Sequence, residues 1–337
     1  MMKPCLTSTS TLDLKMTSGS LIDVHHHALL PSIVGTPKIP NVDIPIWDAD
    51  SSVRMMDKFG IKAAILSLSA PGIPLNDQKE ACLLARRVNE HFASIIEKYP
   101  SRFGAFAALP IPFVDEAVRE LDYAVNQLGL DGVGLFSNYA GSYLGAPKFD
   151  PIFEFLNDKS VTAHIHPTMA YGSSIDTFEL PPSLFEFTFD TTRAVAQLVF
   201  NGVLGKYKKL KLIVSHAGGT IPYLAKRLTY GIAIQKSLTN RQPADVIGQL
   251  KSLYYDTAVC GNPHALSCLS ELVGPDHILF GSDFPYLPLE VLEENQNGLM
   301  TYDGFTREDL EIIAHGNISA LFPAAAKRFG LPVMAAA

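Results

Sequence analysis

A short apolar run, Leu21-Ile22-Asp23-Val24, leads straight into His25-His26-His27. Successive side chains on a β-strand point to opposite faces, so His25 and His27 share one face and His26 takes the other. Two imidazoles together at the end of a strand make half of a metal site. An expression tag explains the run poorly, because a tag would not follow a buried-looking strand. Three further apolar runs end in ligand-type residues: His164-Ile165-His166-Pro167, Ser215-His216-Ala217-Gly218-Gly219 and Gly281-Ser282-Asp283-Phe284-Pro285. Three neutral imidazoles and one carboxylate, His25, His27, His166 and Asp283, suit Zn²⁺ and tolerate Mn²⁺ or Co²⁺.

Taken singly, each of these residues reads as a core or loop residue with local hydrogen bonds. Four strand ends in agreement raise the set above that reading. His164 shares a face with His166 and reads either as a support for a ligand or as a buried core histidine. His216 is the candidate acid/base, since an imidazole titrates near neutrality; a fifth ligand or a structural cap is its alternative. The run Asp131-Gly132-Val133-Gly134-Leu135-Phe136 holds no lysine that could bridge two ions, which favours one metal.

Something must bring these strand ends together. After residue 20, short apolar strands alternate with amphipathic helices. The strands are Leu21–Val24, Lys62–Ser67, Gly104–Leu109, Gly132–Phe136, Thr162–Ile165, Leu210–Ser215, Leu253–Thr257 and Ile278–Gly281. Eight strand–helix units over this length predict a (β/α)8 barrel in a single domain spanning 21–332. An open doubly wound sheet is the alternative, and it lacks the glycine fingerprint expected after its first strand. Strands 1 and 8 become neighbours when a barrel closes, which carries Asp283 to His25 and His27.

Three connections are longer than a barrel needs: Ala28–Asp50, Pro167–Phe189 and Phe284–Phe305. All follow strands and so lie on the catalytic face of the barrel. They are expected to form a lid around a small, flat, apolar substrate. Trp47 in the first connection, and Tyr171, Phe178, Phe185, Phe187 and Phe189 in the second, are the candidate walls. Trp47 and Tyr286 are expected to touch the substrate.

The 337 residues carry a net charge of −7 with no dense basic run, so nucleic acid is not an expected partner. No apolar stretch is long enough to cross a membrane. Cys5, Cys82, Cys260 and Cys268 are scattered, which fits a reducing cytoplasm and neither disulfides nor a cysteine metal site. Residues 1–20 are rich in Ser and Thr and lack an apolar core, so they read as a disordered leader.

Together, Ile22-Asp23-Val24-His25-His26-His27, Trp47-Asp48 followed by Arg54-Met55-Met56-Asp57, His166-Pro167, Lys209-Leu210-Lys211-Leu212 with Ser215-His216-Ala217-Gly218-Gly219, and Phe280-Gly281-Ser282-Asp283-Phe284-Pro285 resemble the amidohydrolase superfamily. More narrowly they resemble its decarboxylase branch, which acts on amino-carboxymuconate semialdehyde and on γ-resorcylate. The resemblance runs from about residue 20 to the last helix. It implies that His25, His27, His166 and Asp283 hold one divalent ion, Zn²⁺ or Mn²⁺, and that His216 contacts substrate. It also implies a homodimer, and an arginine, Arg227, able to meet a substrate carboxylate. An ordinary helix salt bridge explains Arg227 equally well. The implied reaction removes CO₂ from an ortho-hydroxybenzoate, with 6-methylsalicylate giving 3-methylphenol in fungal polyketide metabolism. The Ala217-Gly218-Gly219 turn departs slightly from relatives acting on the semialdehyde and puts that substrate in doubt.

In such a reaction Asp283 would protonate the ring carbon that bears the carboxylate, with His216 hydrogen-bonding the hydroxyl or the carboxylate. Two other classes use the same residues: a metal-dependent hydrolase of a lactone or amide, and a catalytically silent metal-binding barrel. A complete ligand set argues against the last.

Overall fold

The computed structural model describes residues 21–36, 38–74, 77–170 and 178–331. The leader proposed for 1–20, and Tyr171, lie outside the described residues. Eight parallel strands form one sheet: β1 (Leu21–Ala28), β2 (Ile61–Leu68), β3 (Phe103–Ala107), β4 (Gly132–Phe136), β7 (Thr162–His166), β8 (Lys211–Val214), β9 (Tyr254–Asp256) and β10 (Ile278–Leu279), paired in that order. A two-strand hairpin, β5 (Asn138–Tyr139) and β6 (Ser142–Tyr143), follows β4. The sheet closes through Val24 N–H to Phe280 O at 3.0 Å, Asp283 N–H to His25 O at 2.9 Å and His27 N–H to Phe284 O at 2.7 Å. The (β/α)8 barrel expected from the sequence is the observed fold.

The helices form where the sequence offers caps and an apolar stripe. Asp48 and Ser51 make a capping box that starts helix Ala49–Phe59, and Gly60 ends it in the left-handed conformation. Asp77 caps Gln78–Lys98 through its side chain, which accepts the Glu80 N–H. The connection Phe284–Phe305 is not an open loop, because Leu289–Met300 within it is helical and buries Leu292, Asn295 and Leu299 on one side. Val246–Lys251 is a second helix that its short pattern did not reveal. After the Gly218-Gly219 turn the chain forms helices Ile221–Leu228 and Gly231–Ile234 and a 3₁₀ turn, Lys236–Asn240.

Inside the barrel, Ile22, Val24, Ile65, Phe106, Ile213 and Leu279 pack as one cluster with Phe322 and Phe329 of the C-terminal helices. This end of the barrel is plugged by apolar side chains. Ligand-type residues reach the axis only at the opposite end, where the strands finish.

Candidate metal centre

The phase of β1 explains how an apolar strand delivers two inward histidines. Ile22 and Val24 belong to the barrel interior, and strict alternation would then turn His25 outward. The pairing of β1 with β2 slips between Asp23 and His26. A bulge of this kind re-aims the residues after it. Asp23 Oδ1 accepts the His25 N–H at 3.0 Å across the slip, and the same oxygen accepts the Ser282 N–H at 3.0 Å. Asp23 Oδ2 takes His26 Nδ1 at 2.9 Å and the Ser282 hydroxyl at 2.5 Å. One buried carboxylate thus ties the first strand to the turn that carries Asp283. His26 points away from the axis and binds Ser52 through Nε2 at 2.8 Å.

His25, His27, His166 and Asp283 place one ligand atom each within 4.8 Å of one another. Each imidazole is engaged at Nδ1: His25 with Asp256 Oδ2 at 2.9 Å, His27 with Ser67 Oγ at 3.0 Å and His166 with Pro167 O at 2.7 Å. Those contacts leave the three Nε2 atoms for the centre. His25 Nε2 and His27 Nε2 lie 3.1 Å apart. They stand 3.3 and 3.2 Å from Asp283 Oδ1. Ligand atoms about 2.1 Å from a tetrahedral ion are separated by roughly 3.4 Å, so the spacing fits a divalent cation. Ring nitrogens and a carboxylate oxygen crowded together in a buried site also call for one. The quartet fits one divalent ion and does not distinguish Zn²⁺ from Mn²⁺.

Electrostatics agree with that donor set. Burial opposes charge on His25, but the carboxylates of Asp256 and Asp283 outweigh it and push its pKa up to about 10. Burial, together with the positive charge of His25, brings His27 down to about 4. Burial also opposes the Asp283 carboxylate, yet hydrogen bonds from His25 and His27 hold it well below the usual carboxylate range. The metal-free cluster therefore keeps one proton at His25, which a cation must displace. Asp283 is ionised in this state and cannot give a proton until it has received one.

His216 stands beside the quartet, its ring 4.8 Å from that of His25, and is not one of the four converging residues. Its Nδ1–H donates to Ala258 O at 3.1 Å, leaving Nε2 toward the cavity. Its backbone is left-handed, φ +54°, as is that of Asp283, φ +58°. Non-glycine residues seldom hold this conformation, and they hold it where the surroundings impose it. Gly219 follows in a turn where a Cβ would come within 2.2 Å of Thr188 O. This explains why the motif after His216 must run to glycine.

A cavity of about 240 Å³ opens over the centre. Its apolar walls are Ile39, Val42, Leu184, Phe187, Val259 and Leu287. Tyr286 lines it too, its ring 5.5 Å from that of His27 and its hydroxyl bonded to Ser69. Trp47 is not among its described lining residues. The indole N–H donates to Ser52 Oγ at 2.8 Å, and the ring lines a separate groove with Leu29, Leu30, His91 and Ile95. That placement, set by the capped helix that begins just after Trp47, lends no support to the expected substrate contact. Arg227 is exposed on helix Ile221–Leu228 and is not among the cavity's described lining residues. Among the second connection's aromatics, Phe187 lines the cavity, while Phe178 and Phe189 are exposed. Ser67, Ser69, Val259 and Cys260 had no signal in the sequence beyond their places at strand ends.

Three imidazoles and a carboxylate converging at the open end of a (β/α)8 barrel define a metal-binding barrel enzyme. The chain belongs to the amidohydrolase family, whose model matches residues 22–324. It is 35% identical to decarboxylase macB of Penicillium terrestre, covering 90% of this chain and 94% of that one. It is 33% identical to the 6-methylsalicylic acid decarboxylase of Penicillium expansum, covering 90% and 96%. A dihydroxybenzoic acid decarboxylase from Polaromonas, solved with manganese and 2-nitroresorcinol, superposes with a TM-score of 0.76 at 25% identity, covering 90% of this chain and 97% of that one.

Proposed function

We propose that this protein is a metal-dependent carboxy-lyase that removes CO₂ from an ortho-hydroxybenzoate, with 6-methylsalicylate giving 3-methylphenol. The observation that carries the reading is the polarity of the cavity. His27, His166 and Asp283 of the metal quartet, with His216, share its lining with Ile39, Val42, Leu184, Phe187, Val259 and Leu287. Such a site fits a ring with one chelating, anionic edge and an apolar remainder.

A divalent ion bound by His25, His27, His166 and Asp283 supplies Lewis acidity and a fixed charge for the carboxylate and the neighbouring hydroxyl. Loss of CO₂ from an aryl carboxylate would leave an unstable aryl anion, so the ring carbon must be protonated first. The ionised Asp283 accepts the proton of the substrate hydroxyl on entry. The oxygen's electron pair then pushes toward the carbon bearing the carboxylate, and Asp283 returns the proton there. The C–C bond breaks, its electron pair restores the aromatic ring, CO₂ leaves, and the phenolate takes a proton from solvent. With Nδ1–H held by Ala258 O, His216 turns Nε2 toward the cavity, where it orients the polar edge of the ring. Phe187, buried at the cavity wall, keeps water from the ring.

In this reading the β1–helix connection and the Pro167–Phe189 connection act as the lid, joined where Asn41 Nδ2 donates to Glu179 O at 3.0 Å. The working form is a homodimer packed through the face of Ile221–Leu228 and Gly231–Ile234, where Tyr223 is 80% and Ile234 70% exposed. Arg227 lies on this helix pair, and meets the substrate carboxylate from there in the assembled dimer. A monomeric mass by light scattering at working concentration would remove that part. The reaction belongs to the cytoplasm and to polyketide metabolism, in keeping with the relatives' substrate and the scattered thiols. Incubation with 6-methylsalicylate tests the whole: CO₂ and 3-methylphenol are expected, whereas ring opening of a pyrone lactone without CO₂ would favour a hydrolase.

A further inference from the structure

One buried carboxylate beside the centre lies outside the converging quartet. Asp256 ends β9, is fully buried, and uses both oxygens twice. Oδ2 receives His25 Nδ1 and His164 Nε2, each at 2.9 Å. Oδ1 receives the backbone N–H of His216 and of Ala258, each at 3.0 Å. His164 stacks on Phe106 at 5.4 Å and contributes no atom to the converging quartet.

We propose that Asp256 is a positioning residue that fixes His25 in its metal-ligating form, with His164 as the counter-arm that holds the carboxylate in place. An imidazole binds a cation through a bare nitrogen. His25 Nε2 is bare only if the ring's proton sits at Nδ1, and Asp256 Oδ2 is the acceptor that keeps it there. A carboxylate oxygen serving one imidazole could swing toward the ion. The second imidazole, itself immobilised against Phe106, pins it beneath His25. Oδ1 meanwhile steadies the left-handed turn at His216, so one side chain couples ligand and acid/base geometry. The same three residues, His25, His164 and Asp256, form a possible ligand triplet for a second ion. That alternative requires His25 to bridge two cations through both nitrogens while Asp256 Oδ1 stays committed to two backbone N–H groups. The positioning role needs neither.

The inference rests on the metal-centre reading, and the experiment separates the two. In Asp256→Asn the amide oxygen can still accept the His216 and Ala258 N–H groups, so the rim stays folded. The amide NH₂ now faces His25 Nδ1, which must lose its proton to Nε2, the ligating atom. Wild type, Asp256→Asn and His164→Phe would be titrated with Mn²⁺ and Zn²⁺ in competition with a chelator, with circular dichroism of each metal-free protein alongside. One ion per wild-type chain is expected. Asp256→Asn should bind roughly 10- to 100-fold more weakly with an unchanged metal-free spectrum, and His164→Phe a few-fold more weakly. Wild-type affinity in Asp256→Asn, or in His164→Phe, would overturn the positioning role or its counter-arm respectively. Two ions per wild-type chain, one of them lost in Asp256→Asn, would replace the role with a second metal site. No ion bound by wild type would overturn the metal-centre reading itself.

Discussion

The floor and the walls of the cavity are built differently. On the floor, His25 and His27 are inaccessible to solvent, and every ligating imidazole has its other nitrogen engaged by a named partner. On the walls, Leu184 and Val259 are 65% and 44% exposed, and most contributors come from connections between strands. Buried, hydrogen-bonded groups are held to one geometry because any departure leaves a polar atom unpaired. Exposed apolar side chains lose little by moving. The floor is therefore expected to decide whether the reaction happens, and the walls which ring it happens to.

Asp283→Asn tests that division most severely. Three imidazoles remain, so much of the metal should stay, while turnover should fall by about 10³-fold or more for want of a proton carrier. Near-normal CO₂ release by this variant would remove the acid role. The metal-free floor should also show its proton in the pH dependence of stability. His25 is raised to about 10, so the folded state binds the extra proton between roughly pH 6.5 and 10, and stability falls as pH rises through that window. His27 is lowered to about 4, so the unfolded state binds more protons between roughly pH 4 and 6.5, and stability rises with pH there. Thermal melts of the chelated protein should peak near neutrality. Melts of the metal-loaded protein should lack the alkaline decline, since its His25 is already neutral. A flat alkaline limb in both forms would contradict the assignment of the proton.

The walls should respond more mildly. Phe187→Ala should raise KM for a methyl-substituted salicylate by about tenfold and change kcat much less, in keeping with a contact that positions the ring without touching the proton path. A loss confined to kcat would move Phe187 to the floor's side of the comparison. Smallest of all is Trp47→Phe. It removes the indole bond to Ser52 and should cost about 1 kcal/mol of stability, leaving kcat/KM within about twofold. A large catalytic defect there would restore Trp47 to the substrate.

The same contrast decides what the sequence reveals. The barrel was legible because burial on both faces makes each strand an apolar run, and the floor because its ligands stand at the ends of those runs. The sharing of a face by His25 and His27 was readable from spacing. The bulge that turns them inward was not, because it depends on Asp23 meeting Ser282 across the closure of the barrel. Asp256 could be suspected of holding a histidine, but not of joining two of them, since its partners lie 231 and 92 residues away. The walls were mostly illegible. Trp47 drew attention as a lone aromatic in a long connection, yet it lines a separate groove, while Ser69, Val259 and Cys260 line the cavity without any local pattern. Leu289–Met300 hid inside a presumed loop because its apolar stripe is broken by Asn295 on the buried side.

The most direct test of the account uses protein with its metal quantified, incubated with 6-methylsalicylate with and without a chelator, following CO₂ and the phenolic product together. The account predicts equal amounts of CO₂ and 3-methylphenol, abolished by the chelator and restored by Mn²⁺ or Zn²⁺. A chain carrying one metal ion that releases no CO₂ from this or any other ortho-hydroxybenzoate would contradict it.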